Sequence, residues 1–300
     1  MIRAFDAMID LHCHILPGID DGAADLAVSL RMAQLLVADG VTIAACTPHI
    51  LPGLYNNTGA DIRGAVSRLQ YLISQEQIPL RLVAGADVHI ASDLIQGLNS
   101  GDLPTLNGSR YVLIEPPHDV LPPRLEDVLT DLLAAGYVPI LTHPERLSWI
   151  SAHYRLISHL AQSGVWMQIT AGSLAGAFGG RARSWAERML HEGYVHLIAS
   201  DAHDDRWRPP DLRRGWELAA SLVGAAEADN LLLSRPRGVI EDTPPSLLPL
   251  PAGVRFVSGE TYVELGQPAR GMPAKNSLRQ HTSGHAGRGA IPDRLRRLFG

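Results

Sequence analysis

Two histidines one residue apart, His12 and His14, close a short apolar run from Met8 to Leu11. Such a run reads as a buried strand. On a strand, residues i and i+2 face the same side, so the pair can hold one metal ion together. Cys13 between them points the other way, into packing. Pro17 and Gly18 then turn the chain, and Asp20-Asp21-Gly22 returns carboxylates to the strand end. Two imidazoles with a carboxylate form a mixed N/O donor set suited to Zn, Mn or Fe rather than Ca. Taken alone, the pair is equally compatible with two partly exposed histidines; the rest of the chain decides between these readings.

Six further apolar runs are strand-like, and most end in residues of the same kind. Val41 to Cys46 leads into Thr47-Pro48-His49, and Leu80 to Ala84 into Asp87 and His89. Arg110 to Ile114 ends in Glu115, with His118 and Asp119 close behind; Val138 to Leu141 ends in Thr142-His143-Pro144-Glu145-Arg146. Val165 to Ile169 is followed by Thr170-Ala171-Gly172-Ser173, and Val195 to Ala199 by Ser200-Asp201-Ala202-His203. Between the runs, helical periodicity covers Ala24–Asp39, Asp61–Gln75, Leu125–Ala135, Tyr154–Gln162, Arg183–His191 and a long stretch from Asp211 to Leu233. In the first of these, Leu26, Leu30, Ala33 and Val37 share one face, and Gly40 suits the residue that ends a helix. Seven strands alternating with helices suit βα units and a parallel sheet. In that architecture the carboxyl ends of the strands form the functional face.

An Asp or Ser after a strand is ordinarily a helix cap, but here the whole set counts. His12, His14, Asp21, His49, Asp87, Glu115, His143, Asp201 and His203 would converge on one mouth. Burying so many titratable groups without a cation is costly, and a centre of several metal ions removes that cost. His89, His118 and Asp119 are read as solvated strand-end groups, and Tyr55 as surface packing beside a possible substrate groove.

Three hundred residues are normal for one α/β barrel, and 46% hydrophobic against 19% charged residues allows a large core. A net charge of −5 argues against a nucleic-acid binder. Only Cys13 and Cys46 occur, which is no disulfide framework and fits a reducing, cytoplasmic setting. No apolar stretch is long enough for a membrane span. The barrel is expected over residues 1–243. From Pro244 the chain becomes rich in Pro, Gly and Arg, reading as an extended linker, a small hairpin over Arg255–Leu265 and a flexible stretch. A basic, apolar end, Arg294 to Phe299, could touch a membrane surface or a partner.

The motifs Ile9 to Gly22, Thr47-Pro48-His49, Ile114-Glu115, His143-Pro144-Glu145-Arg146, Ile169 to Leu174 and Ala199 to His203 together resemble the PHP (polymerase and histidinol phosphatase) metal-dependent family. Within it, the chain is similar to the bacterial protein-tyrosine phosphatases of capsule and exopolysaccharide gene clusters. The resemblance runs from Met8 to about Leu233. It implies an α/β fold, a distorted (β/α)7 barrel of the PHP type, here with a C-terminal extension. It also implies a centre of up to three ions, Mn or Fe, with Zn, Co or Mg as further options. By position, His12, His14, Asp87 and Asp201 would hold one ion; Asp87, Glu115 and His143 a second; Asp21, His49 and His203 the third. Arg146 and Arg208 match phosphate-contacting arginines. Position 87 departs from the pattern: the family's bridging residue is usually Glu, one methylene longer than Asp.

Hydrolysis of a phosphate monoester requires holding charge and placing a nucleophile, which clustered metals and forked arginines can do. A phenolate leaving group, with a pKa of about 10, needs less protonation than a serine alkoxide. A thiol route needs Cys-x5-Arg, yet the sixth residue after Cys13 is Ile19 and after Cys46 is Pro52. The residues thus fit a metal-dependent phosphatase favouring phosphotyrosine, and the resemblance implies that the substrate is a tyrosine-phosphorylated protein, a tyrosine kinase regulating exopolysaccharide synthesis or export. The competing expectations are a small-molecule phosphatase of the histidinol-phosphate type and a kinase-docking module with a degenerate metal centre.

Overall fold

Every apolar run read from the sequence forms a parallel strand in the structure, a computed structural model that describes residues 7–91 and 93–254. The strands are β1 (Met8–Cys13), β2 (Val41–Cys46), β3 (His49–Ile50), β4 (Arg81–Ala84), β5 (Asp87–His89), β6 (Tyr111–Glu115), β7 (Val138–Thr142), β8 (Trp166–Thr170) and β9 (Leu197–Ala199). They pair as two parallel sheets, β1-β2-β4 and β3-β5-β6-β7-β8-β9. Two of the expected strands, Val41 to Cys46 and Leu80 to Ala84, are thus each continued after a two-residue break by a further short strand, β3 and β5. One break is at Thr47-Pro48, where proline has no N–H for the ladder. The other is at Gly85-Ala86, where a Cβ on Gly85 would lie 2.8 Å from Leu106 and 3.1 Å from Thr47. The breaks are stitched together: Gly85 N–H donates to Cys46 O, and Asp87 N–H to Pro48 O. An isolated parallel bridge joins Cys13 to Ala202, past the end of β9.

The helices are α1 (Leu26–Ala38), α2 (Gly59–Gln75), α3 (Leu94–Ser100), α4 (Leu125–Ala134), α5 (Ile150–Gln162), α6 (Ala171–Ala175), α7 (Gly179–His191), α8 (Leu212–Val223), α9 (Ala225–Asp229) and α10 (Arg235–Ile240). Asp25 and Thr58 cap α1 and α2 with their side chains. The buried face of α1 is Ser29, Met32, Ala33 and Leu36, offset from the face expected, and Gly40 takes a positive φ after its end. The single long helix expected over 211–233 is interrupted at Gly224, whose φ of 87° no helix accommodates.

Two apolar clusters form the core. The larger lies between strands and helices. The smaller gathers alternate strand residues, Ile9, Leu11, Tyr111, Leu113, Val138, Ile140, Trp166 and Leu197, and is covered by Val239 and Ile240 of α10. On β1 this alternation would turn Cys13 toward the smaller cluster. A register shift between Asp10 and Cys13 prevents it. A shift of one residue exchanges the two faces of a strand. Cys13 and Ile15 therefore pack in the larger cluster, and His12 and His14 take over the side of Ile9 and Leu11.

The expected boundary after residue 243 falls inside a packed segment. Leu248 packs against the smaller cluster, the buried Arg235 donates to Pro249 O at 2.6 Å, and Gly253 N–H donates to Gly193 O. The described residues all belong to one compact unit. The hairpin expected over 255–265 and the basic end over 294–299 lie outside the described residues. Among the described residues, no helix is long and apolar enough to cross a membrane.

Candidate metal centre

The carboxyl ends of the strands bring all nine expected ligands to one place, with backbone specialisation where the turns are sharp. His143 and Asp201 each adopt a positive φ, 32° and 51°, immediately after β7 and just past β9. Non-glycine residues seldom do so, and such strain concentrates at functional sites. Gly22 sits so close to His14 that a Cβ would lie 2.2 Å from its carbonyl oxygen. Only glycine lets the carboxylate loop lie against that histidine.

The ligand atoms fall into overlapping groups. His12 Nε2 and His14 Nε2 face each other at 3.1 Å. Asp87 Oδ2 is 3.3 Å from His12 Nε2, and Asp201 Oδ1 is 3.4 Å from both imidazoles. His14 also belongs to a group with Asp21, His49 and His203; Asp21 Oδ1 is 3.4 Å from His49 Nε2 and 3.6 Å from His203 Nε2. Glu115 anchors the far side. Its Oε1 is 3.6 Å from His143 Nε2 and 3.2 Å from His118 Nε2, and its Oε2 is 3.2 Å from His49 Nδ1 and 2.5 Å from His89 Nε2. His118 completes a group with Glu115 and His143 where Asp87 was expected. Of its two expected groups, Asp87 lies in the one with His12 and His14, 3.6 Å from His49 Nδ1. His89 and His118 thus reach the site rather than solvent, whereas Asp119 is exposed. Tyr55 stacks on His49, with ring centroids 5.7 Å apart.

Behind the ligands stand groups that sequence reasoning left unassigned. His14 Nδ1 lies 2.7 Å from Asp20 Oδ2, and His12 Nδ1 lies 2.9 Å from Gln168 Oε1. Buried Glu145 accepts from Thr170 N–H and Ser173 Oγ, pinning the turn that carries His143 and Arg146 to the end of β8. Buried Asp10 accepts from Ser200 N–H and Ser200 Oγ and so fixes the approach to Asp201. Arg146 Nη1 and Arg208 Nη2 both donate to Asp201 Oδ2, the latter at 2.7 Å. Their guanidinium carbons lie 4.3 and 5.6 Å from the centre of the Phe178 ring.

The electrostatics are those of a cation site. Burial would lower His12, but the Asp201 and Asp87 carboxylates raise it to about 9. Burial opposes His49 too, yet its hydrogen bond to Glu115 and the charge of Asp87 raise it to about 10. His14 is raised against burial by Asp20. Burial prevails at His143, with Arg146 adding to it, and at His203, where burial and the His14 charge bring the imidazole down to about 2. Burial disfavours the charged carboxylates, yet contacts with His118, His49 and His89 hold Glu115 well below the usual range, and His12 and Arg208 do the same for Asp201.

The residues fit metal ions. Both oxygens of Asp87 and His143 Nδ1 are buried without a hydrogen-bond partner. Bare buried polar atoms are expensive. Imidazole with carboxylate is a donor set for Mn, Fe, Co or Zn. A thiol nucleophile has no support here: Cys13 and Cys46 are both buried, and burial raises both thiols.

Residues 8–241 match the family described as "Capsular polysaccharide synthesis, CpsB/CapC". The chain is 40% identical over 201 residues to the tyrosine-protein phosphatase YwqE of Bacillus subtilis, covering 67% of this chain and 79% of that protein. It is 27% identical over 240 residues to the tyrosine-protein phosphatase CpsB of Streptococcus pneumoniae, covering 78% of this chain and 99% of that protein. A crystal structure from work on YwqE and CpsB, described as unique metal-dependent tyrosine phosphatases, superposes with a TM-score of 0.76. It is 35% identical and covers 79% of this chain and 96% of its own.

Proposed function

This chain belongs to the capsular polysaccharide synthesis CpsB/CapC family, and from that premise we propose that it is a metal-dependent hydrolase removing phosphate from tyrosine-phosphorylated protein. The observation that carries the reading is one mouth where four overlapping His/carboxylate groups meet two arginines gathered on Asp201. The ions are Mn or Fe, up to three, with Zn, Co or Mg also compatible with the donors. His12, His14, Asp87 and Asp201 hold one; His14, Asp21, His49 and His203 surround the second; Glu115, His143 and His118 face the third. When bound, such ions supply Lewis acidity and a nucleophile at neutral pH. Arg146 and Arg208 take the phosphoryl oxygens. Asp201 and the Phe178 ring keep their forks oriented, so little side-chain freedom is lost on binding. The phenolate leaves with little help from an acid, which favours phosphotyrosine over phosphoserine.

The fold reading follows the same line. The breaks make β2 with β3, and β4 with β5, two bent strands. With the Cys13–Ala202 bridge, the seven strands form a distorted (β/α)7 barrel whose smaller apolar cluster is the interior. The catalytic machinery lies within residues 1–243. Residues 244–300 are an extension, packed on the body as far as Val254, whose basic end touches a partner or a membrane surface. The natural substrate is a cytoplasmic tyrosine kinase regulating exopolysaccharide synthesis or export. Initial rates with Mn, Fe, Co, Zn and Mg on matched phosphotyrosyl and phosphoseryl peptides test the proposal, and the phosphotyrosyl peptide is expected to be preferred. Faster hydrolysis of a small free phosphoester than of the phosphotyrosyl peptide would make the protein a small-molecule phosphatase.

A further inference from the structure

Asp20 stands outside every ligand group, yet it touches two of their members, His14 and His49, and the residue next to a third, Asp21. Its side chain is 1% exposed. Oδ2 lies 2.7 Å from His14 Nδ1 and accepts from the backbone N–H of His49 at 3.1 Å. Oδ1 accepts from the N–H of Gly22, the residue after Asp21, at 2.9 Å. His14 turns its other nitrogen, Nε2, toward His12 and Asp201, so Asp20 contacts the back of the ring.

An ionised carboxylate only accepts hydrogen bonds. Facing Asp20, His14 Nδ1 must carry a proton, and the Nε2 lone pair is left for the cation. We propose that Asp20 is the positioning residue of the group formed by His14, Asp21, His49 and His203: it sets the His14 tautomer and ties that ring, the Asp21 turn and the start of β3 into one unit. The inference rests on reading this mouth as a metal centre. His12 is held differently, since the Gln168 amide opposite its Nδ1 can present either a donor or an acceptor. His14 alone of the two has its tautomer dictated by a charge.

Asp20→Asn is nearly isosteric and makes a sharp test. All three partners of Asp20 are donors, so whichever way the amide turns, its NH2 faces one of them. In the full chain titrated with Mn²⁺, the variant should bind the ion at this group about 10- to 100-fold more weakly, or lose one ion per chain at stoichiometric loading. Wild-type affinity and stoichiometry in Asp20→Asn would overturn the proposal while leaving the metal-centre reading intact. Absence of Mn²⁺ binding in the wild-type protein would overturn both. If the variant does not fold, ¹⁵N spectra of the Zn²⁺-loaded wild-type protein decide, zinc being diamagnetic. The His14 ring should carry its proton on Nδ1; a proton on Nε2, or metal on Nδ1, would overturn the assignment.

Discussion

Loading this protein with metal should expel protons, in a number set by the geometry. Asp20, Asp21, Asp87, Glu115 and Asp201 bring five formal negative charges to the mouth, and Arg146 and Arg208 return two positive ones. Protons on His12 and His49, which these carboxylates raise to about 9 and about 10, offset two of the remaining three. Metal ligation needs the lone pairs those protons occupy. At pH 7, displacing a proton from His12, at about 9, costs about two powers of ten, and from His49, at about 10, about three more. Apparent affinity summed over the ions should therefore rise about 100-fold per pH unit between pH 7 and 9. The stability of the metal-free protein runs the other way. Folded pKa values raised above the ordinary 6.5 contribute stability that is present below about pH 6.5 and lost as pH rises through about 9 to 10. Calorimetric titration of metal-free protein with Mn²⁺, in buffers of different ionisation enthalpy, counts the protons directly. At least two per chain should be released at pH 7, and about none above pH 10. Release of less than about half a proton at pH 7, or an affinity flat from pH 7 to 9, would refute the charge balance.

Asp87→Ala should lose at least one bound ion and the activity together, by metal analysis and turnover, because both its oxygens are buried among ligands with no other partner. Asp87→Glu, restoring the longer reach, should keep both. Arg146→Ala and Arg208→Ala should each lower kcat/KM about 10- to 100-fold, as expected for loss of one charge-assisted hydrogen bond to phosphate. Metal content should stay intact, and lysine should rescue only in part because it lacks the fork. Truncation after Thr243 should lower the melting temperature by about 4–8 °C, since it strips the Pro249 carbonyl from buried Arg235 and Leu248 from the core. Truncation after Val254 should leave turnover of a small aryl phosphate unchanged, because every proposed ligand precedes Pro209.

The strands and the gathering of the candidate ligands were legible because both obey simple periods. An apolar run of four to six residues ending in His, Asp or Glu is a local pattern, and parallel topology then gathers the ends at one face. The broken strands were not legible, because Thr47-Pro48 and Gly85-Ala86 interrupt the ladder without interrupting the chain's direction. The bulge on β1 was equally hidden: His12 and His14 share a side whatever the register, but only the shift beside Asp10 turns that side inward. His89 and His118 look like solvated strand-end residues until Glu115 is placed between them. Spacing alone does not distinguish the neighbouring carboxylates Asp20 and Asp21; the resemblance singles out Asp21, and the turn at Gly22 sends Asp20 behind His14 and Asp21 toward His49 and His203. Gln168, Glu145 and Phe178 carry no spacing signal, since each acts through a contact with a residue distant in sequence. The packed segment to Val254 escaped because its prolines suit a linker as well as a surface strap held by Arg235.

Phosphate release from a phosphotyrosyl peptide, measured on one preparation before stripping, after stripping and after reloading with Mn²⁺, tests the central claim most directly. The ligand groups at the mouth predict that turnover vanishes with the metal and returns with it, in proportion to the ions bound per chain. Undiminished release from protein shown by metal analysis to be empty would contradict the account.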